Sequence, residues 1–237
     1  MVTSKLYLGS VMLVLLTASG GQLFAAGAGQ VQNLSGTLSV QRADGTVRIL
    51  SQKSEVNPGE VLTTQRDSYA QINFSDGSSM TMRPNTQMKI EAYQFVDSRP
   101  QEDNAFFRLI KGGLRTVTGL VGKRGNQDSY RIGTATATIG IRGSSGETLD
   151  CTQGCDGVVE GGDKVQPGVY HTTYTGSYIM QNESGSQIIG EGQFGFVKDA
   201  TSPPQILPGD PGLNLKDLPF VLGANQSFKQ GQDCIVR

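Results

Sequence analysis

The 237 residues contain no tryptophan, one histidine and three cysteines. His171 stands alone, and no serine or cysteine is paired with a base at a spacing that marks a nucleophile. Cys151, Cys155, Cys234 and the distant His171 lack the paired-ligand spacing of a zinc site. The Asp-Gly steps at 44–45, 76–77 and 156–157 lack the alternating acids of a calcium loop and read as turns. The charge is almost balanced at −1, which gives no support for nucleic-acid binding, where a basic face is needed. Beyond the first 28 residues no run is apolar enough to span a bilayer. These absences point away from an enzyme, a metal or cofactor protein and a membrane-spanning chain. Glycine, by contrast, occurs 32 times, about twice its usual ~7% share. With Thr, Ser, Val and Ile it favours many short strands joined by tight turns.

The first 28 residues read as a secretory signal. Lys5 precedes an apolar run from Leu6 to Leu16, and small residues follow, ending in Ala26-Gly-Ala28. Cleavage before Gly29 would move the net charge from −1 to −2. The expected layout is a signal at 1–28, a β domain at 29–147, a glycine-rich loop and β extension packed on the same domain at 148–200, and a tail at 201–237. That tail holds Pro203, Pro204, Pro208, Pro211 and Pro219 and reads as extended. In an exported chain, Cys151 and Cys155, which flank Thr-Gln-Gly, are a candidate disulfide. Cys234 is then left to pair elsewhere or to stay free.

Alternation of apolar and polar residues places the strands. Leu38 and Val40 precede a turn at Asp44-Gly45, after which Val47 and Ile49 resume the pattern. Ala70, Ile72 and Phe74 share one face, Asp76-Gly77 turns the chain, and Met80 and Met82 return. Met88 and Ile90 begin another strand. Gly112-Gly113 reads as a turn between Phe106–Ile110 and Leu114–Val117. Residues 122–129 read as a mobile loop. Tyr130 and Ile132 have one parity, Ile139 and Ile141 the other, which implies a bulge or bend between Gly133 and Thr138. From residue 170 to 180, Tyr170, Tyr174, Tyr178 and Met180 fall on one face. The expected fold is all-β, either a solenoid-like stack or a sandwich of short strands.

From about Val31 to Glu147 the chain resembles the FecR domain, the periplasmic sensor module of iron-dicitrate-type regulators. The residues that carry the resemblance are Gly59-Glu-Val-Leu-Thr63, Ala70-Gln-Ile-Asn-Phe-Ser-Asp-Gly-Ser78, Arg83-Pro-Asn85, Gly112-Gly-Leu-Arg-Thr-Val117 and Ala137-Thr-Ile-Gly-Ile-Arg-Gly143. The resemblance implies an all-β module, a periplasmic or secreted setting and a recognition role, and it supplies no catalytic residues. Such regulators carry an anti-sigma segment ahead of a membrane helix. Only a few residues precede the apolar run here, so direct sigma-factor control is not expected.

Between Ala105 and Gly146 seven basic residues face Asp128 alone. Arg108, Lys111, Arg115, Arg131 and Arg142 are the candidate site, for an anionic ligand or an acidic partner held by charge-assisted hydrogen bonds. The alternative is a solvated basic surface balanced by the acidic loop that follows. Arg142, after Ile139-Gly-Ile141, also fits a structural arginine on turn carbonyls. The tyrosines at 170, 174 and 178 could stack on sugars or form a half-buried sheet face. His171 reads as a surface residue. The leading expectation is a non-enzymatic exported module that binds another envelope protein, such as an outer-membrane receptor or a membrane regulator. The alternatives are a binder of an anionic small ligand or glycan, and a self-associating envelope component.

Overall fold

The computed structural model describes residues 27–126, 128–213, 215, 218 and 219. The signal reading at 1–28 therefore falls almost wholly outside the described residues, as do Cys234 and most of the tail beyond Leu213. Among the described residues, fifteen strands and one short 3₁₀ turn, Pro100–Glu102, make up the regular structure. The strands are β1 (Gly29–Ser35), β2 (Leu38–Gln41), β3 (Val47–Leu50), β4 (Glu55–Val56), β5 (Val61–Thr64), β6 (Tyr69–Phe74), β7 (Ser79–Met82) and β8 (Gln87–Gln94). Then follow β9 (Asn104–Val117), β10 (Tyr130–Gly133), β11 (Thr138–Asp150), β12 (Val169–Asn182), β13 (Gly185–Gly190), β14 (Phe194–Val197) and β15 (Gln205–Leu207). Among the described residues no helix is long and apolar enough to cross a membrane.

All fifteen strands are linked by hydrogen bonds into one sheet, but three long strands bend and divide it into two layers. The first half of β9 pairs with β8 and β10, and its second half with β7 and β11. β11 likewise pairs through Thr138–Arg142 with β10 and the end of β12, then through Ser145–Asp150 with β9 and the start of β12. Layer one therefore runs β3-β2-β5-β8-β9-β10-β11-β12-β13. Layer two runs β4-β1-β6-β7-β9-β11-β12-β14-β15. The bend in β9 sits at Gly112, whose φ is +90°. A Cβ there would lie 2.6 Å from the Thr86 Cα, so only glycine fits the corner. The Gly112-Gly113 step is thus a corner inside one strand and not the turn its sequence suggested. In β12 the corner is at Gly176, φ +73°, and it brings the rings of His171 and Tyr178, from one strand, to 4.1 Å.

The layers face each other across one apolar core. Layer one contributes Leu38, Val40, Leu62, Met88, Ile90, Phe107, Ile132, Ile139 and Ile141, and layer two Val31, Ala70, Ile72, Phe74, Met80 and Met82. Phe74 of β6 meets Phe107 of β9 at 5.0 Å between ring centres, and Phe107 meets Tyr130 at 5.5 Å. The arrangement is a folded-over sandwich and not a stack of repeats. Tyr130/Ile132 and Ile139/Ile141 differ in parity because a hairpin separates them, with Ile132 opposite Ile139. The Thr134 hydroxyl accepts from the Ala137 amide at 3.0 Å and closes that turn, so no bulge is needed there. The irregularity in β11 comes later, between Arg142 and Ser145.

A second, smaller core lies on the outer side of layer two. Leu149, Tyr170 and Phe196 point outward from the sheet and are covered by Cys151, Cys155, Val158 and Val159 of the loop and by Leu213 and Leu215 of the tail. Cys151 and Cys155 are disulfide-bonded, with Cα atoms 4.8 Å apart. The loop and the tail are in this way held against the sheet.

Candidate functional site

The outer face of layer one carries the candidate basic residues of β9 and β10. In β9, residues 104, 106 and 108 point outward, since Ala105, Phe107 and Leu109 fill the core. A register shift against β8 then places both Ile110 and Lys111 outside, with Lys111 opposite Gln87. Arg108 lies opposite Lys89 on β8 and opposite Gly133 on β10. Arg131 lies opposite Phe106. The Arg108 and Arg131 guanidinium carbons sit 5.4 and 5.1 Å from the centre of the Phe106 ring, so one aromatic ring supports both cations. Glu91 accepts from Arg108 at 2.8 Å and pairs with Lys89 at 2.6 Å. These contacts, Lys89 first, hold its carboxyl below the usual carboxylate value. Three of the five candidate residues, Arg108, Lys111 and Arg131, thus share one face, joined by Lys89 and partly balanced by Glu91.

Arg115 and Arg142 stand elsewhere. Arg142 is exposed on β11, where it lines a cleft of about 370 Å³ with Lys123 and Arg124. Arg124 is anchored on Asp103 at 3.0 Å, on Asp97 at 3.2 Å and over the Phe95 ring. The loop read as mobile is therefore tied down at its centre. Arg115 is in the outer face of layer two, beneath the tail. Its Nε lies 3.2 Å from Glu147 Oε2, off the hydrogen-bonding line, and its guanidinium rests 4.4 Å from the centre of the Tyr174 ring. Glu147 also pairs with the buried Arg83 and accepts from the Tyr174 hydroxyl at 2.8 Å. The Leu215 carbonyl accepts from both arginines, at 3.1 Å from Arg83 and 3.2 Å from Arg115. The arrangement is a buried charge network that ties the tail to the sheet.

His171 is buried in the main core and not at the surface. Its Nδ1 lies 3.0 Å from the Thr148 hydroxyl, and its Nε2 has no hydrogen-bond partner. Tyr170 is buried in the second core outside layer two and Tyr178 in the main core between the layers, because the corner at Gly176 breaks the parity they would share in a straight strand. They offer no stacking platform for a sugar. Among the described residues no group of three or more His, Cys, Asp or Glu could hold a metal.

The strand expected at Val47 and Ile49 is present as β3, but the local pattern does not disclose that it forms an edge of the sheet. It bonds β2 alone among the described strands. The Arg42 amide donates to the Thr46 carbonyl at 3.0 Å, which fixes the phase of the ladder. The backbone groups of Arg48 and Leu50 then turn toward β2, and those of Val47 and Ile49 turn away from it. The side chains of Val47 and Ile49 are 61% and 67% exposed. Val47 and Ile49 alternate as their spacing implies, but they face solvent, and Leu50 is the residue of this strand that is buried. A signal was present in Arg48-Ile49-Leu50, where alternation alone cannot decide which of two adjacent apolar residues enters the core.

The fold and these surfaces define an all-β module of short hairpins with one open, partly basic face. Residues 60–161 match the family model described as FecR protein, from just before β5 through β11 and into the disulfide loop. The chain therefore carries a FecR domain, placed somewhat later along the sequence than the residue resemblance had set it. No curated protein matches the chain. Two crystal structures, at 1.65 and 2.50 Å, of a "putative anti-sigma factor" from Parabacteroides distasonis ATCC 8503 are similar to it at 10% identity and a TM-score of 0.45. The match covers 64% of this chain and 60% of that one. A likeness of that size carries no activity across.

Proposed function

We propose that this chain is a non-enzymatic recognition module that docks an extended strand of another envelope protein along β3. The open edge carries the reading. Val47 and Ile49 present backbone donors and acceptors that no other described strand takes up, together with exposed β-branched side chains, which is what strand addition requires. Exposed edges of this kind are usually blocked by charge or proline, and β3 has neither at those two positions. The FecR domain and the signal-like N-terminus support an envelope setting. The basic face continues from β3: Val47, Gln41, Val61, Lys89 and Arg108 are successive register partners across five strands. That alignment favours an acidic partner, steered by the cations of β8–β10.

A photo-cross-linking residue placed at 47 or 49 in cells should give an adduct with another envelope protein. Ile49→Pro removes the outward amide but spares the ladder to β2, whose bonds run through 48 and 50. It should abolish the adduct made at 47 and leave the melting temperature nearly unchanged. An adduct that survives in the proline variant would overturn strand addition at this edge.

A further inference from the structure

We infer that the outer face of β1, β6 and β7 holds a second binding site, for a saccharide that bears a carboxylate. The site is independent of β3 and lies on the other layer. It is a cleft of about 570 Å³ lined by Gln32, Asn33, Gln71, Asn73, Ser79 and Lys123, among others. That volume is in the range of pockets that take small organic ligands, ~300–1,000 Å³.

Its floor is polar and fixed. Gln71 and Ser79 are 4% and 7% exposed, although an outward position on a sheet could as easily carry a valine or threonine. They belong to a directional chain of hydrogen bonds. Asn33 Nδ2 donates to Gln71 Oε1 at 2.6 Å, Gln71 Nε2 donates to Ser79 Oγ at 3.1 Å, and Ser79 Oγ donates to Asn73 Oδ1 at 3.0 Å. Each bond fixes which end of the next group is oxygen and which is nitrogen. The chain therefore leaves a donor, the Asn73 amino group, at one lip, and an acceptor, the Asn33 carbonyl oxygen, at the other. The two ends are held by buried groups, so little side-chain entropy remains to be lost when a ligand binds.

The chemistry selects the ligand class. A sugar hydroxyl both donates and accepts, and carboxamides offer the matching pair of groups at fixed positions. The lining holds few apolar side chains, which disfavours a lipid chain. Lys123 is the one charged residue of the lining, so an anionic ligand gains a charge-assisted contact that a neutral sugar lacks.

The test is a titration of the ¹⁵N-labelled protein with tetragalacturonate and, in parallel, with neutral cellotetraose. Tetragalacturonate should bind with a Kd of about 1 mM or tighter and shift the side-chain amide signals of Asn33, Gln71 and Asn73. Asn73→Ala, at an exposed lip, should weaken binding about tenfold. Lys123→Gln should erase the preference for the acidic over the neutral sugar. Ile49→Pro should leave both titrations unchanged, which separates this site from the edge at β3. Three results would overturn the inference: no amide shifts up to about 10 mM ligand, equal binding by the Asn73→Ala variant, or shifts confined to the face of Arg108 and Arg131.

Discussion

Thr81 shows how a single hydroxyl can cost stability in this sandwich. It is fully buried on β7, between Gln71 and Arg115 in the register, and its Oγ1 has no hydrogen-bond partner. A buried polar group without a partner costs about 1–3 kcal/mol. Thr81→Val keeps the shape and the β-branch while removing that group, and should raise stability by about 1 kcal/mol in a denaturant titration. His171 makes the stability of the fold depend on pH. Burial pushes its pKa down to about 3 from the ordinary 6.5. The unfolded chain therefore takes up a proton near pH 6.5 that the folded chain refuses. The stability contributed by neutral His171 is complete above 6.5 and is lost as the pH falls toward 3, by at most ~1.4 kcal/mol per pH unit. Asp150 acts in the opposite sense, since burial raises its pKa, but its contribution is common to wild type and variant. Urea midpoints measured from pH 7 to pH 4.5 should fall steeply for the wild type and much less for His171→Phe. Parallel slopes would mean that the ring is not held neutral.

At the scale of elements, the corners decide the architecture. Gly112 lets β9 leave one layer and enter the other, and both its φ of +90° and its 2.6 Å approach to the Thr86 Cα exclude a side chain. Gly112→Ala should cost about 2–4 kcal/mol, the sum of a strained backbone and a displaced neighbour. A thermal melt checks it, and a loss under ~1 kcal/mol would mean that the corner is soft. The same corners explain what the sequence could and could not disclose. Hairpins were legible where an Asp-Gly step made the turn, as at Asp44-Gly45 between β2 and β3 and Asp76-Gly77 between β6 and β7, whereas the turn Thr134–Ala137 between β10 and β11 has no such step and read as a bulge or bend. The carboxylate of Asp76 shows why its own turn is so well marked. It accepts from the Ser78 amide and hydroxyl, the Tyr93 hydroxyl and the Val121 amide. Long strands that bend were not legible, because alternation assumes a straight strand. Gly112-Gly113 therefore looked like a turn, and Tyr170 and Tyr178 looked like neighbours on one face. The charged residues divided for the same reason. Arg108, Lys111 and Arg131 precede the corners or lie on β10 and share a face, whereas Arg115 follows the corner and joins Glu147 on the opposite layer. Glu147 and Arg83 are 64 positions apart, so no local pattern could have paired them.

For the molecule as a whole, the second core makes the tail part of the fold. Leu213 is buried, and the Leu215 carbonyl is the neutral acceptor shared by Arg83 and Arg115. Removing the chain from Pro208 onward would uncover Leu149, Tyr170 and Phe196 and strip that acceptor from two largely buried guanidinium groups. The loss should be about 3 kcal/mol or more, the scale of a vacated leucine site. Opening the Cys151–Cys155 bond by reduction should add about 2 kcal/mol, the chain-entropy value for so short a loop. The damage should be local. Because the main core is closed by Phe74, Phe107 and Tyr130 on the far side of layer two, hydrogen exchange in the truncated chain should accelerate across 151–168 and β14 while β6 and β7 stay protected. The open edge at β3 belongs to the protected part, so cross-linking at Val47 should persist after truncation. If exchange rose equally over both cores, the tail would be stabilising a single cooperative unit, and loss of the tail would then weaken recognition at β3 by unfolding it.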